Sequence, residues 1–413
     1  MSLAWLSVGA LVLAVALSCT SAINVGILAM ALALLVGVGF GGLSPGAVIE
    51  GFPSDLLVTL VGVTLLFAIA QTNGTLARIT ARAIRLCRGH AGALPFMFFG
   101  LGLALATIGA GATPASALLA GPAMAVAARA GISPFQMAVM AGNGALAGTL
   151  SPFAPTGLVA NGVMEQIGLG GYEWYTFAWN ALAHAVVGVG GFFAFGGWRL
   201  FRPDAAHAAA HEPTEEPLER RHWLTTAGIG ALIVTVVGFG VDVGMAALII
   251  VAVLVLLQAG DEAAAIKQMP WGVILMVTGV TVLIVMVRDA GGLELFTAGV
   301  ARVSSPSTLA PIMAFGAGVI SVYSSTSGVV LPAFLPMVPD LAQRVIGVNP
   351  LDLAWALAVG ASLVDLSSLS TVGALFMAAA AAGTDIRRLF NQLLAWGFSM
   401  SVAGALIAWL WFV

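Results

Sequence analysis

The chain is short of charge. Of its 413 residues only 8% are Asp, Glu, Lys or Arg, where a soluble domain carries about 25%. A run of ordinary soluble domains is therefore excluded. Cysteine is scarce too: Cys19 and Cys87 fall in or beside apolar segments without metal-ligand spacing, so neither a disulfide framework nor a zinc site can be built from them. No basic tract resembles a nucleic-acid patch, and no nucleic-acid partner is expected. No Gly-rich stretch has the strand–helix context of a phosphate loop. No His is paired in sequence with a candidate Ser, which leaves an intramembrane hydrolase as a poor rival. No enzyme activity and no cofactor are expected.

What is abundant is apolar: 60% of the chain, with a mean hydropathy of +1.05. Runs near or above the length that spans lipid recur at 3–19, 23–43, 55–70, 174–198, 223–240, 242–258, 271–287 and 391–413. The first lacks a basic n-region and reads as a span rather than a cleaved signal. These runs predict a polytopic, all-α membrane protein.

The sequence also repeats itself. "GVT" at 62–64 returns at 279–281, and "PFMFFG" at 95–100 returns as "PIMAFG" at 311–316. Pro134, Gly144, Leu150, Ser151 and Gly157 return as Pro350, Gly360, Leu366, Ser367 and Gly373. The spacing, 217 early and 216 later, predicts two halves, 1–202 and 223–413. Between them "PDAAHAAAHEPTEEPLERRH" (203–222) has no core-forming pattern. Its His207, His211 and His222 lack ligand spacing and read as part of a solvated linker.

Each half is expected to hold about five transmembrane helices, one of them broken, together with an amphipathic segment and a re-entrant hairpin. In "GTLARITARAIRLCRG" (74–89) Arg78, Arg82 and Arg85 share one helical face, as in a helix lying on the membrane surface. The hairpins are 93–130, with the tip "ATIGAGATPASALLAGP", and 309–346, with "SVYSSTSGVVLPAF". Five crossings are odd, so the second half must be inverted. With the N-terminus outside, twelve of the 15 basic residues fall on cytoplasmic segments; only Arg288, Arg302 and Arg344 fall outside. That distribution follows the positive-inside rule. It puts both termini outside a cell (inner) membrane and the 203–222 linker in the cytoplasm.

The polar interruptions carry the chemistry. "GTLSPFAPTG" (148–157) holds two prolines, each costing a helix interior about 3 kcal/mol, so the stretch must unwind. Unwound backbone inside a membrane is tolerated only where protein or a wet cavity covers it. Freed carbonyls on one side suit a cation, and the following helix N-terminus near Thr156 and Gly157 suits an anion. The partner break, "SLVDLSSLSTVG" (362–373), has four serines and Asp365, the only acidic residue placed deep in a span. An acid there costs about 2.5–3.5 kcal/mol and is by default functional; its alternative is to cap a half-helix starting near Ser368.

For a coupling cation, Na+ or H+, the expected ligands are Asp365, Thr149, Ser367, Ser368 and Ser324. For the substrate they are Thr113, Ser116, Ser151, Thr156, Gly157, Ser325, Thr326, Ser327, Ser370 and Thr371, with Asn143 supplying an amide. His184, a turn from Asn180, reads as a packing or helix-to-helix hydrogen-bonding residue.

These halves, each with a surface helix, a hairpin and a broken helix, resemble the ion transporter superfamily, which includes the divalent anion/sodium symporters. "GFPSDLLVTLVGVTLLFAIAQTNGTLARI" (51–79) and "ARAGISPFQMAVMAGNGALAGTLSPFAPTG" (128–157) look most like its malonate/dicarboxylate carrier branch. The resemblance implies secondary transport of small carboxylates by an elevator motion, and a homodimer held by scaffold spans. It also implies tip motifs that bind sodium and carboxylate. Here the tips read Gly111-Ala112-Thr113 and Ser324-Ser325-Thr326, without the asparagine of the symporters. A cation/proton antiporter or an oxyanion efflux permease on the same scaffold is the alternative.

Overall fold

The computed structural model describes residues 2–20, 23–86, 92–201 and 217–413, and the ordered elements among them are helical. The linker with His207 and His211 lies outside the described residues apart from 217–222, as do Cys87 and Arg88. The first series of helices is α1 (Leu3–Thr20), α2 (Val25–Gly39), α3 (Pro45–Ile49), α4 (Ser54–Thr72), α5 (Thr75–Leu86), α6 (Leu94–Leu105), α7 (Ala112–Arg129), α8 (Pro134–Ala147), α9 (Pro155–Gln166) and α10 (Glu173–Ala194). A second follows: α11 (Arg220–Ile233), α12 (Val243–Leu256), α13 (Glu262–Gln268), α14 (Trp271–Asp289), α15 (Gly292–Val303), α16 (Leu309–Tyr323), α17 (Leu331–Phe334), α18 (Val338–Arg344), α19 (Pro350–Leu363), α20 (Thr371–Ala378) and α21 (Ile386–Trp411).

The two series run in the same order, and so do the residues that start their helices. Asn24 caps α2 and Asp242 caps α12; Ser44 caps α3 and Asp261 caps α13; Pro53 and Pro270 precede α4 and α14. Each cap satisfies a backbone N–H that the helix itself cannot. The short helices α3 and α13 were not foreseen from the sequence. Residues 42–46, "GLSPG", have the G-x-S-x-G spacing of a hydrolase nucleophile. Ser44, however, spends its hydroxyl accepting the Ala47 N–H as the cap of α3.

α4, α10, α14 and α21 are long and apolar enough to cross a bilayer, and α1, α2, α6, α12, α16 and α19 contribute shorter apolar helices. They form two groups. In one, α2 packs along α14 and α4 along α12, with α1 and α15 beside them. Glycine permits the close crossings: a Cβ on Gly26 would stand 1.9 Å from the Leu275 carbonyl, and one on Gly62 would stand 2.7 Å from that of Gly244. Such small-residue contacts suit helices that associate by packing rather than by water exclusion. In the other group α6, α7 and α10 surround α8, and α16 and α21 surround α19.

His222 departs from the solvated-linker reading. It is fully buried in the first turn of α11. Its Nδ1 accepts the Glu219 N–H at 2.8 Å, and its Nε2 lies 3.0 Å from the Asn73 carbonyl at the end of α4. The Asn73 amide in turn donates to Thr225 and to the Ala259 carbonyl. The polar composition of 203–222 thus hides the start of a docked helix.

Candidate functional site

Both predicted breaks exist and have the same length. Residues 148–154 are non-helical between α8 and α9, and 364–370 between α19 and α20. The chain turns so tightly that a Cβ on Gly157 would lie 1.9 Å from the Ser151 carbonyl, and one on Gly373 would lie 2.0 Å from that of Ser367. In each break the serine hydroxyl accepts the N–H two residues on, Phe153 in the first and Leu369 in the second.

Both hairpin regions are pairs of helical arms. The first pair, α6 and α7, meets at Gly109 and Gly111, whose φ values of +121° and +78° strongly favour glycine. The second, from α16 to α18, meets at Ser324 and Ser325, and Ser325 caps the next turn by accepting the Gly328 N–H. Each tip touches the break of its own half. Gly111 approaches Pro155, and the Ser151 hydroxyl donates to the Thr107 carbonyl at 2.6 Å. Thr326 reaches Asp365. Each outgoing half-helix also crosses to the other half, α20 packing on α7 and α9 on α17. Four polar interruptions therefore gather in one region.

The second break is rich in oxygen. The buried Thr326 hydroxyl lies 2.7 and 2.9 Å from the two Asp365 carboxylate oxygens and 3.2 Å from the Ala361 carbonyl. Ser321 lies 3.4 Å from the carboxylate and in close contact with Thr326. The Asp365 N–H bonds the Ser362 carbonyl, leaving the Ala361 carbonyl free to face this cluster. Two hydroxyl protons serve a carboxylate, a carbonyl and each other, so lone pairs exceed donors. Such a cluster accepts a hard cation or a proton. Asp365 does not cap the following helix; Ser370 does, accepting the Gly373 N–H and donating to the Ser367 carbonyl.

At the first break, by contrast, a side chain from α10 occupies the carbonyls at the end of α8. The Leu146 carbonyl accepts from the Thr149 N–H and from the Asn180 amide, which also lies 3.2 Å from the Ala147 carbonyl. Asn143 is buried; its amide donates to the Val139 carbonyl and its oxygen pairs with His184 Nδ1 at 2.9 Å. It thus faces α10.

The remaining expected residues are spread around these breaks. Ser116 and Ser368 are buried with hydroxyls that have no hydrogen-bond partner among the described residues. Thr149 and Ser367 are buried, Ser324, Ser327 and Thr156 half-buried, and Thr113 and Thr371 exposed. Ser321 and the Ala361 carbonyl were not singled out from sequence, although Ser321 lies within the quoted tip stretch 321–334. The bonding expected for His184 and Asn180 is present, and Ser362 on α19 completes it.

The described residues form an all-helical fold in which four helices are long and apolar enough to cross a membrane, and that fold is like one seen in a solved transporter. Among solved structures it is similar to the YdaH transporter of Alcanivorax borkumensis, with a TM-score of 0.59 and 15% identity over 91% of this chain and 88% of that one. Residues 1–149 match the family model of the dicarboxylate carrier protein MatC N-terminus. One of these is described as a transporter and the other as a carrier. No curated protein sequence matches the chain.

Proposed function

We propose that the protein is a secondary transporter of small di- or tricarboxylates, coupled to Na+ or H+. The dicarboxylate class rests on the name of the family matched by residues 1–149. The coupling rests on one observation: the cluster of Thr326, Ser321, the Ala361 carbonyl and Asp365, which joins a hairpin tip to a helix break and is short of donors. Cation binding there neutralises the carboxylate next to α20. The N-terminal turns of α7 and α20, with Thr113, Ser116, Ser370 and Thr371, then offer hydroxyls and positive helix ends to an anion. Thr156 and Gly157 open α9 in the same manner, while Ser325 and Ser327 line the second tip.

In this reading the two halves are inverted in the membrane, the arms 93–130 and 309–346 are re-entrant, and the group around α8 and α19 moves as an elevator. The frame of α2, α4, α12 and α14 holds two copies as a homodimer. The test is counterflow in proteoliposomes with malonate, succinate and citrate, with sodium and pH gradients imposed separately. Carboxylate exchange accelerated by one gradient is expected. Cation flux without any carboxylate flux would transfer the protein to the antiporters and sink this reading.

A further inference from the structure

Outside the oxygen cluster, a connected group of buried polar side chains joins α8, α10 and α19. Asn180, His184, Asn143 and Ser362 are all fully buried. The Ser362 hydroxyl donates to the Asn180 carbonyl oxygen at 2.5 Å, and Asn180 donates from its other end to the Leu146 carbonyl at 2.9 Å. One amide thus connects the last turn of α8 to the last turn of α19. His184 runs parallel: Nδ1 faces the Asn143 oxygen at 2.9 Å and Nε2 faces Ser362 at 3.4 Å. Because the Asn143 amide already donates to Val139, its oxygen must accept, so His184 carries its proton on Nδ1 and leaves Nε2 bare toward Ser362.

The two links have different consequences for the two breaks. At the first, Asn180 occupies the carbonyls that unwinding exposes. At the second, Ser362 sits one residue after Ala361 and three before Asp365, inside the turn that presents both to Thr326. The second half offers no equivalent amide at this position: the residue 216 positions beyond Asn180 is Trp396, whose indole N–H is buried without a partner among the described residues. The asymmetry of charge between the breaks is matched by an asymmetry of bonding.

We propose that Asn180 and His184 are positioning residues that lock the end of α8 to the end of α19, closing the first break to cations and holding the Asp365 break in its ligating geometry. The lock is a property of the fold. Its effect on coupling rests on the function proposed above, and the two are tested separately.

The lock is read by hydrogen exchange on the purified full-length protein. In Asn180→Leu, exchange should rise tenfold or more at 149–151 and also at 365–370, across the repeat boundary. A rise confined to 149–151, or none, overturns the lock whatever is transported. Ser362→Ala removes one hydroxyl only and serves if Asn180→Leu does not fold; Ser362→Thr, which keeps the hydroxyl, should restore protection. In proteoliposomes, with Na+ and H+ each titrated, Ser362→Ala should raise the half-activating cation concentration at least fivefold. The carboxylate KM at saturating cation should stay within twofold. Equal changes in both overturn the positioning role. Wild-type flux indifferent to both cations would instead defeat the proposed function, and the exchange readout would still decide the lock.

Discussion

The Thr326 hydroxyl lies within 3 Å of both carboxylate oxygens of Asp365, bridging a hairpin tip and a helix break 39 residues apart in sequence. A hydrogen bond to a charged group contributes about 1.5–3 kcal/mol, and the same oxygens are the best-placed donors of lone pairs to a cation. Thr326→Val keeps the shape and removes the hydroxyl. It should weaken cation activation of transport about tenfold or more, with a modest fall in melting temperature from the lost bond. Asp365→Asn should abolish the cation dependence in a protein that still folds. Flux measured against cation concentration decides the matter, and unchanged coupling in Asp365→Asn would remove Asp365 from the mechanism.

The breaks themselves are set by glycine. A methyl group on Gly157 meets the Ser151 carbonyl at 1.9 Å, and one on Gly373 meets the Ser367 carbonyl at 2.0 Å, so backbone must move in both. Overpacking of this kind costs about 1–3 kcal/mol even when side chains can yield. Gly157→Ala and Gly373→Ala should each lower the melting temperature clearly and reduce transport. Gly316→Ala is the contrast, because no described residue outside its own helix turn lies within 4 Å of the added methyl on α16. There the substitution should stabilise by about 0.5–1 kcal/mol through helix propensity. Equal melting temperatures for all three variants would contradict the packing at the breaks.

Much of this was legible in the sequence because the breaks violate a local rule. Prolines at 152 and 155, or an acid at 365, have no place in an apolar helix, and the 216-residue spacing ties one violation to the other. Distant partners leave no such mark. Ser321 is one hydroxyl among many in a serine-rich tip, and only the turn after Ser324 brings it to Asp365. The Ser362–Asn180 bond spans 182 residues and has no counterpart in the repeat pattern. His222 shows the opposite failure. Its polar neighbours predict solvent, but a single helix start carries it under α4 into contact with Asn73. Composition reports an average over a segment, whereas burial is decided residue by residue.

The proposed orientation gives opposite predictions for two exposed loops. Pro217 is exposed just before α11, beside Arg220 and Arg221. Ser307 is exposed in the turn between α15 and α16, in a segment where Arg302 is the nearest basic residue. Basic residues are retained on the cytoplasmic side, so the orientation proposed above puts the first loop inside and the second outside. In a background lacking Cys19 and Cys87, Ser307→Cys should react with a membrane-impermeant maleimide on intact cells, whereas Pro217→Cys should react only after permeabilisation. If the halves were parallel copies of an even number of crossings, each position would lie on the same side as its repeat equivalent, and the hairpin entrances before α6 and α16 would label together. Labelling of Pro217→Cys from outside, or protection of Ser307→Cys, would overturn this orientation, whereas labelling of Ala93→Cys, exposed just before α6, from outside together with Ser307→Cys would overturn the inversion and with it the assignment of the two hairpins to opposite faces of the membrane.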